Sequence, residues 1–446
     1  MQSLEILHLI ERSTTLRTAA SLTRTVTHLI SSGEIPPNSQ LPTIRVVAEQ
    51  LGMSRSAVGQ TWRELQKQGL VESRRRGGTA VLPSPKPPHA RRFESMIRAS
   101  ANMKVNLGNL WCADLPTVDL QSGFEYAVDH PDIGDPFAQP IHPEFQESVA
   151  ETWPFETDSF LAMHGTIDTL EMSLAALVRP GDHVAVESPT IARIFDVLES
   201  LGAVVDSVPI GPEGPDLTTL SRALISKPVA FIYQPSRSLP TGRSVTPRWV
   251  EGAARILKGT LPILEFDQVW PLTPVPISLG THLPEQVLHV RGFNYSFGPS
   301  MRQAVTGGNP KLTKTLWNRL SYSSRYVSPI MQLSQAKLLV DPTTESTLNA
   351  RTEEIFLRFS SFKEALSNHD FDAAQAPMIW LPVPDEYSVC TQLSTKGIVV
   401  HPGAFFQQNS HLSPHVCINT GATGIGIEEL AHEISEACDR PVDHVD

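Results

Sequence analysis

Pro42-Thr43-Ile44-Arg45-Val46-Val47-Ala48-Glu49-Gln50-Leu51-Gly52-Met53-Ser54-Arg55-Ser56-Ala57-Val58 is the run from which the architecture of the N-terminal part of this chain is read. Ile44, Val47, Ala48 and Leu51 recur at the spacing of one helix face, so a short helix with these four facing inward is expected after Pro42, and Gly52 stops it. Ser54 is a good N-cap for the next helix, because a serine hydroxyl accepts from the open amides of a first turn. Val58, Trp62 and Leu65, four and three apart, bury one face of that second helix, and Gly69 closes it. Two short helices joined through a tight turn at Gly52-Met53 make a helix-turn-helix.

The flanks complete the unit. Upstream, Leu22, Val26, Leu29 and Ile30 form a helical stripe ending at Gly33, and Pro36, Pro37 and Pro42 keep the connection extended. Downstream, Leu70-Val71-Glu72-Ser73 and Thr79-Ala80-Val81-Leu82 read as two short strands joined across Arg74-Arg75-Arg76-Gly77-Gly78, which makes a winged helix. In such a motif the second helix enters the major groove N-terminus first, so Ser54, Arg55 and Ser56 would meet base edges or phosphates. Arginine pairs bidentately with guanine, and helix N-termini favour phosphate. Arg74, Arg75 and Arg76 at a Gly-Gly tip suit phosphate or minor-groove contact. Alone, three arginines in a turn are as well explained as a solvated charge run. Charge distribution decides: residues 1–92 hold 13 Lys and Arg against 6 Asp and Glu, a balance of +7, whereas the rest hold 23 against 41, or −18. A basic head on an acidic body points to double-stranded DNA as the partner of the head alone.

At 446 residues, 40% hydrophobic and 19% charged, the chain has the length for two or three domains and the apolar content to fill their cores. The expected division is a winged helix-turn-helix over 1–83, a proline-rich basic linker over 84–104, a large α/β domain over 105–310, and a long helix with a small α+β subdomain over 311–446. Pro83-Ser84-Pro85-Lys86-Pro87-Pro88-His89-Ala90-Arg91-Arg92 has no periodicity and reads as an extended, semi-stiff spacer, with structure resuming near Val105. Cys112, Cys390, Cys417 and Cys438 are scattered without metal-ligand spacing, which suits a reduced, cytoplasmic setting. No apolar run of about 18 residues offers a membrane span, and the first residues lack a signal-peptide pattern.

From Phe160 helices alternate with short apolar strands, the pattern of a largely parallel sheet. Helices are expected at Thr166–Leu177, Ile191–Leu201 and Leu217–Leu224. Strands are expected at Val184–Val186, Val204–Val208, Val229–Tyr233, Leu261–Leu264 and Gln286–Val290. The last third opens with helix near Lys311 and ends in a smaller unit containing Met378–Leu381 and Gly397–Val400.

Two resemblances follow from these residues. Gly33-Glu34-Ile35-Pro36-Pro37-Asn38-Ser39-Gln40-Leu41-Pro42-Thr43-Ile44-Arg45, then Met53-Ser54-Arg55, then Gly77-Gly78-Thr79, resembles the winged helix of GntR-family regulators, with Asn38 standing where the family has glycine and Gly77-Gly78 where it has Gly-x-Gly. That resemblance implies that Arg45, Ser54, Arg55 and the wing around Gly78 contact DNA. The body resembles the fold-type I aminotransferases. The landmarks are His164-Gly165-Thr166 opening a helix, Arg179-Pro180-Gly181-Asp182, Leu239-Pro240-Thr241-Gly242, Gly298-Pro299-Ser300-Met301-Arg302 and Gly397-Ile398-Val399-Val400-His401-Pro402-Gly403. A GntR head on such a body is the plan of MocR-type regulators. In that family the body binds pyridoxal phosphate and senses an amine, amino acid or vitamer, and head-to-tail homodimers form.

Against that family the cofactor site of this chain is dismantled. Seven residues before Arg302, where the resemblance implies the cofactor lysine, stands Tyr295, which has no amine for a Schiff base. The aspartate that pairs with the pyridine nitrogen falls on Phe266, unless the register slips by one and Asp267 serves. The expected tyrosines fall at Gln268 and Ile191, and the carboxylate-binding arginine near Cys417. What remains for a ligand is Gly165, Thr166 and Ile167 at a helix N-terminus, with Asp267, Tyr295 and the Arg302 fork. The expectation is a non-enzymatic regulator with no covalently bound cofactor. Non-covalent pyridoxal phosphate, or another phosphate-bearing small-molecule effector, stays open. The other reading is a pyridoxal-phosphate enzyme of aminotransferase type with an appended DNA-binding head.

Overall fold

The computed structural model describes residues 3–14, 16–74, 78–82, 90–101, 103–108, 114–130, 132, 134–272, 277–369, 371, 377–408, 413–421 and 426–439. The chain divides into two compact units, one built on Met1–Arg91 and the other carrying most of the chain from Arg92.

The first unit is a helical bundle with a two-stranded wing. Helices α1 (Ser3–Ser13), α2 (Ala19–Ser31), α3 (Ile44–Leu51) and α4 (Arg55–Lys67) precede strands β1 (Val71–Arg74) and β2 (Gly78–Val81). The expected cap is in place, Ser54 Oγ accepting from the Ala57 amide at 3.1 Å, and the structure adds a second, Thr43 Oγ1 accepting from the Val46 amide at 3.4 Å. Gly52 ends α3 in the left-handed region at φ +61°, where a Cβ is strained. Asn38, at the family glycine position, has φ +63°; asparagine is among the few other residues that adopt this conformation routinely, so the departure keeps the turn. The segment behind it pairs onto β2, with the Leu41 amide donating to Thr79 O at 2.8 Å and the Val81 amide to Ser39 O at 2.9 Å. Two corrections apply. Ile44, expected to face inward, is 37% exposed, while Val47, Ala48 and Leu51 are buried as expected. Helix α1 lies outside the expected set, and its Ile6, Leu7, Leu9 and Ile10 join the head's core with Leu22, Val58 and Trp62.

In the second unit, α5 (Arg91–Ser100) occupies part of the stretch expected to be an unstructured linker. It packs through aromatic contacts, with the Arg193 guanidinium 4.0 Å from the Phe93 ring centroid. Residues 83–89 of that stretch lie outside the described residues. The large sheet holds β4 (Phe160–Met163), β5 (His183–Ser188), β6 (Val204–Gly211), β7 (Gly214–Pro215), β8 (Phe231–Tyr233), β9 (Ile263–Asp267), β10 (Val287–Gly292) and β11 (Ala304–Gly308). Its order is β4-β11-β10-β9-β8-β5-β6-β7. The run β10-β9-β8-β5 is parallel, and β11 and β4 add antiparallel partners. Helix Thr166–Leu177 has the expected bounds, so the mixed α/β class expected from the pattern is the class found.

The small part is built on β12 (Met378–Pro382), β14 (His401–Pro402) and β15 (His415–Asn419), antiparallel, with β3 (Val105–Asn106) parallel to β13 (Ile398–Val399). Val105 and Leu107, expected to open the large domain, pack into the small core with Phe359 and Ile418. Ala336, Leu338 and Leu348, expected in the small part, pack into the large core. The helix Pro342–Ala365, 24 residues and so about 36 Å long, gives Leu348 to one core and Phe359 and Phe362 to the other. Among the described residues no helix is long and apolar enough to cross a membrane.

Candidate nucleic-acid interface and effector site

In the head, the cap places α4 with its open N-terminus and Arg55 at the surface. The Arg55 and Arg45 side chains are each 70% exposed. They share one carboxylate: Glu49 Oε1 lies 3.4 Å from Arg45 Nε and 3.8 Å from Arg55 NH2. Exposed pairs of this kind contribute little, about 0–1 kcal/mol, so both guanidiniums remain available to a phosphate or base. Ser54 is occupied by its cap, which makes it the residue that aims the helix; Ser56 is exposed beside it. In the wing, Gly78 has φ +73°, and a Cβ there would stand 3.0 Å from Gln40 Oε1. Ser73 and Thr79 hydroxyls meet across the ladder at 2.9 Å. Arg75, Arg76 and Gly77 lie outside the described residues, as does the side chain of Arg74. Sequence reasoning missed Arg17, whose guanidinium abuts the Gly52 turn; nothing in the spacing marks it.

In the body, helix α8 (Thr166–Leu177; α6 is Gln121–Asp129 and α7 Pro143–Ala150) starts where β10 ends. The approach is close: a Cβ on Gly292 would stand 2.6 Å from Thr166 Cγ2. Only glycine admits the helix start there. Arg302 reaches the same place, since a Cβ on Gly165 would stand 3.3 Å from its Nε. The structure thus brings Gly165, Thr166 and Arg302 to one helix N-terminus. It adds a residue that the sequence did not single out: Asp168, in the first turn, whose Oδ2 and Oδ1 lie 3.1 and 3.3 Å from Arg302 NH2. The side chains of the pair are 58% and 43% exposed. Ile167 is half-buried on α8.

Asp267 is not part of this group. On β9 and β10 the register sets Glu265 opposite His289, Phe266 opposite Val290, and Asp267 opposite Arg291. Successive side chains of a strand point to opposite faces, and Gly292, like Val290 and Phe266, belongs to the face that meets α8. The aspartate therefore looks away from the helix start, into a fully buried polar layer. There Asp267 Oδ2 lies 3.6 Å from Arg291 Nε and 3.9 Å from His289 Nε2. His289 Nδ1 meets Glu265 Oε2 at 2.9 Å, and Ser278 Oγ donates to that oxygen at 2.6 Å. Arg291 donates to Thr152 Oγ1 and O at 2.8 Å each and stacks between Trp153 and Trp270. Burial lowers the Arg291 guanidinium to about 10 and raises the Asp267 carboxyl above its ordinary range, against the pull of Arg291.

Tyr295 sits in a one-turn helix (Asn294–Phe297), buried, with the Arg351 guanidinium 5.5 Å from its ring centroid. Arg351 donates to Pro116 O at 3.1 Å, and Arg237, its pKa lowered by burial, donates to Leu272 O at 3.1 Å. Ile191 and Cys417 are buried, and Cys417 lies in β15, its thiol pushed up by burial. A second buried carboxylate also escaped the sequence reading as a site. Glu187 Oε1 accepts from Gln234 Nε2 at 2.8 Å, Thr190 Oγ1 at 3.1 Å and Ser238 Oγ at 3.2 Å, and burial raises it to about 7. Among the described residues no group of three or more His, Cys, Asp or Glu could hold a metal ion.

Set against pyridoxal phosphate, Phe266 and not Asp267 lies on the face turned to α8, and Asp267 is committed to Arg291 on the opposite face. Arg302, paired with Asp168 at the surface, keeps a fork that an anion can reach.

Comparison with known proteins agrees with both halves. Residues 18–81 match the gntR family of bacterial regulatory proteins. The vitamin B6 salvage pathway transcriptional repressor PtsJ of Salmonella typhimurium is 26% identical over 410 residues, 87% of this chain and 91% of the relative. The probable rhizopine catabolism regulatory protein MocR of Rhizobium meliloti is 23% identical over 351 residues, 70% of this chain and 69% of the relative. Among solved structures, a tetra mutant of Thermus thermophilus aspartate aminotransferase covers 78% of this chain and 98% of its own at 19% identity, with a TM-score of 0.67. The α-aminoadipate aminotransferase LysN from Thermus thermophilus covers 79% and 95% at 16% identity, with a TM-score of 0.68. At such identities the likeness shows the aminotransferase fold of the body and no activity. The chain thus joins a GntR-type head to a body of the aminotransferase fold, an arrangement that resembles the plan of MocR-type transcriptional regulators.

Proposed function

We propose that the head grips operator DNA through Arg45 and Arg55, with Ser56 and the wing from Arg74 to Gly78 alongside. The observation that carries this reading is the Ser54-capped helix end, with two exposed guanidiniums sharing a single carboxylate. Ser54 acts by aiming α4, while Arg55 reads a base or phosphate. Replacing Arg55 with alanine is expected to weaken operator binding by about 1–3 kcal/mol, measured by gel-shift titration. Unchanged affinity removes Arg55 from the interface.

We infer further that the body serves dimerisation and the sensing of a small-molecule effector near Gly165, Thr166, Ile167, Tyr295 and Arg302, in the cytoplasm and without covalent cofactor chemistry. A head-to-tail homodimer suits that role, because two heads on one body bind two half-sites with a gain in effective concentration. Tyr295 at the position of the lysine supports the absence of a Schiff base, so borohydride reduction in the presence of pyridoxal phosphate leaves the mass of the chain unchanged. A reduced adduct at the body would restore the enzyme reading. The relative PtsJ is named for vitamin B6 salvage, which makes B6 vitamers the first effectors to screen by thermal shift, since a ligand of the native state raises Tm.

A further inference from the structure

Two guanidiniums reach Tyr295 from separate elements of the body. Arg351, in the helix Pro342–Ala365, is 2% exposed, and its Cζ lies 5.5 Å from the centre of the Tyr295 ring. Arg237, half-buried in the loop after β8, has its Cζ 4.8 Å from the centre of the Phe356 ring. Phe356 follows Arg351 by five residues, about 7.5 Å along the helix axis, so both arginines meet the same stretch of that helix. Tyr295 is also within electrostatic reach of Arg237, whose charge it favours against burial. We propose that Arg237 and Arg351 form an anion subsite beside Tyr295 that receives a carboxylate of the effector. The inference rests on the reading that the body senses a small molecule near Tyr295, and it narrows the class of that molecule.

Burial gives the reason. A cation taken out of water is costly unless an opposite charge and good hydrogen bonds compensate it. Arg237 Nε donates to Leu272 O and Arg351 NH1 to Pro116 O, each at 3.1 Å, and a carbonyl satisfies an N–H without balancing a charge. Burial accordingly wins at Arg237 and lowers its pKa. A guanidinium carries five N–H donors in a planar fork, so each arginine can face a carboxylate and keep its carbonyl. A carboxylate therefore adds charge balance that an amide of the same shape does not. The backbone points the same way. Arg237 is held at φ +44°, a conformation that non-glycine side chains rarely adopt and that recurs at ligand clamps.

Thermal shift and calorimetric titration of the full-length protein use succinate, its neutral counterpart succinamide, inorganic phosphate, pyridoxine and pyridoxal phosphate at one ionic strength. Succinate is expected to raise Tm, and succinamide to leave it in place. Arg237→Gln changes the half-buried position, and Arg351→Lys keeps a buried charge but loses the fork. Each should bind succinate about tenfold more weakly than the parent, with a circular dichroism spectrum that matches it. Should Arg351→Lys fail to fold, Arg237→Gln decides alone. The proposal is overturned if the parent does not bind succinate, if succinamide binds as tightly, or if Arg237→Gln keeps the parent's affinity. It is also overturned if phosphate binds more tightly than succinate and loses that affinity in Arg237→Gln. A vitamer that raises Tm where succinate does not removes the carboxylate subsite and leaves the effector reading standing. No shift with any of the five compounds counts against both.

Discussion

Two regions of this molecule set arginines beside acidic residues, and water separates them. In the head, Arg45 and Arg55 share Glu49 at 3.4 and 3.8 Å, with all three side chains more than 60% exposed. On the sheet face of the body, Arg291, Asp267, His289 and Glu265 form a layer with side chains at most 4% exposed. A charge kept wet costs little and can exchange its partner, so the head's set suits a ligand that comes and goes. A charge taken out of water must keep its partners, because desolvation costs several kcal/mol per ion. The buried layer therefore serves to fix the shape of the body, and it explains why Asp267 is unavailable to a ligand.

The largest effect falls on the dry side. Arg291→Ala leaves Asp267 buried beside His289 without its guanidinium, and is expected to cost about 3–5 kcal/mol of stability. It should lower the Tm of the body while leaving the melting of the head in place. Denaturation of the single variant within 1 kcal/mol of the parent would mean that water reaches this layer.

Glu187 gives the next effect, and its sign follows from burial. Its folded-state pKa of about 7 lies above the ordinary 4.5, so the folded chain holds this proton more tightly than the unfolded chain. Stability contributed by the group is complete below about pH 4.5 and falls as pH rises to 7, by about 3 kcal/mol, after which it is level. Glu187→Gln, which keeps the hydrogen bonds and discards the charge, should therefore gain on the parent between pH 5 and pH 8 in urea unfolding. A constant difference across that range would place a charged carboxylate in the folded state at all pH values.

The smallest effect is on the wet side. Glu49→Gln frees two exposed guanidiniums and is expected to tighten operator binding by less than 1 kcal/mol, about threefold at low salt. The gain should fade as salt is raised. Fluorescence anisotropy at two ionic strengths measures both quantities. Weaker binding in the variant would show that Glu49 positions the arginines rather than balancing them.

Which of these features can be read from the sequence depends on how local their causes are. Thr43, Gly52 and Ser54 act on backbone within three residues, so the helix-turn-helix is visible in a single run. Asn38 can be tied to the family glycine from the motif, and its positive φ supplies the reason. The face on which Asp267 lies is a two-residue alternation, but choosing between Phe266 and Asp267 requires knowing that Gly292, on the neighbouring strand, meets Thr166. Asp168 is harder still, because its partner is 134 positions away and neither residue is unusual on its own surface. The helix Arg91–Ser100 is hidden by the prolines before it, and α1 by its distance from any recognisable motif.

The 24-residue helix that supplies both cores of the body bears on cooperativity. Leu348 cannot leave the large core without loosening the backbone that holds Phe359 and Phe362 in the small one. Helix formation propagates residue by residue once nucleated and fails in the same way, so the two cores share the fate of one continuous rod. The large and small parts of the body are therefore expected to unfold as a single thermodynamic unit, although their sheets are separate. A calorimetric trace with two peaks would divide head from body, and would leave the aminotransferase-like fold undivided.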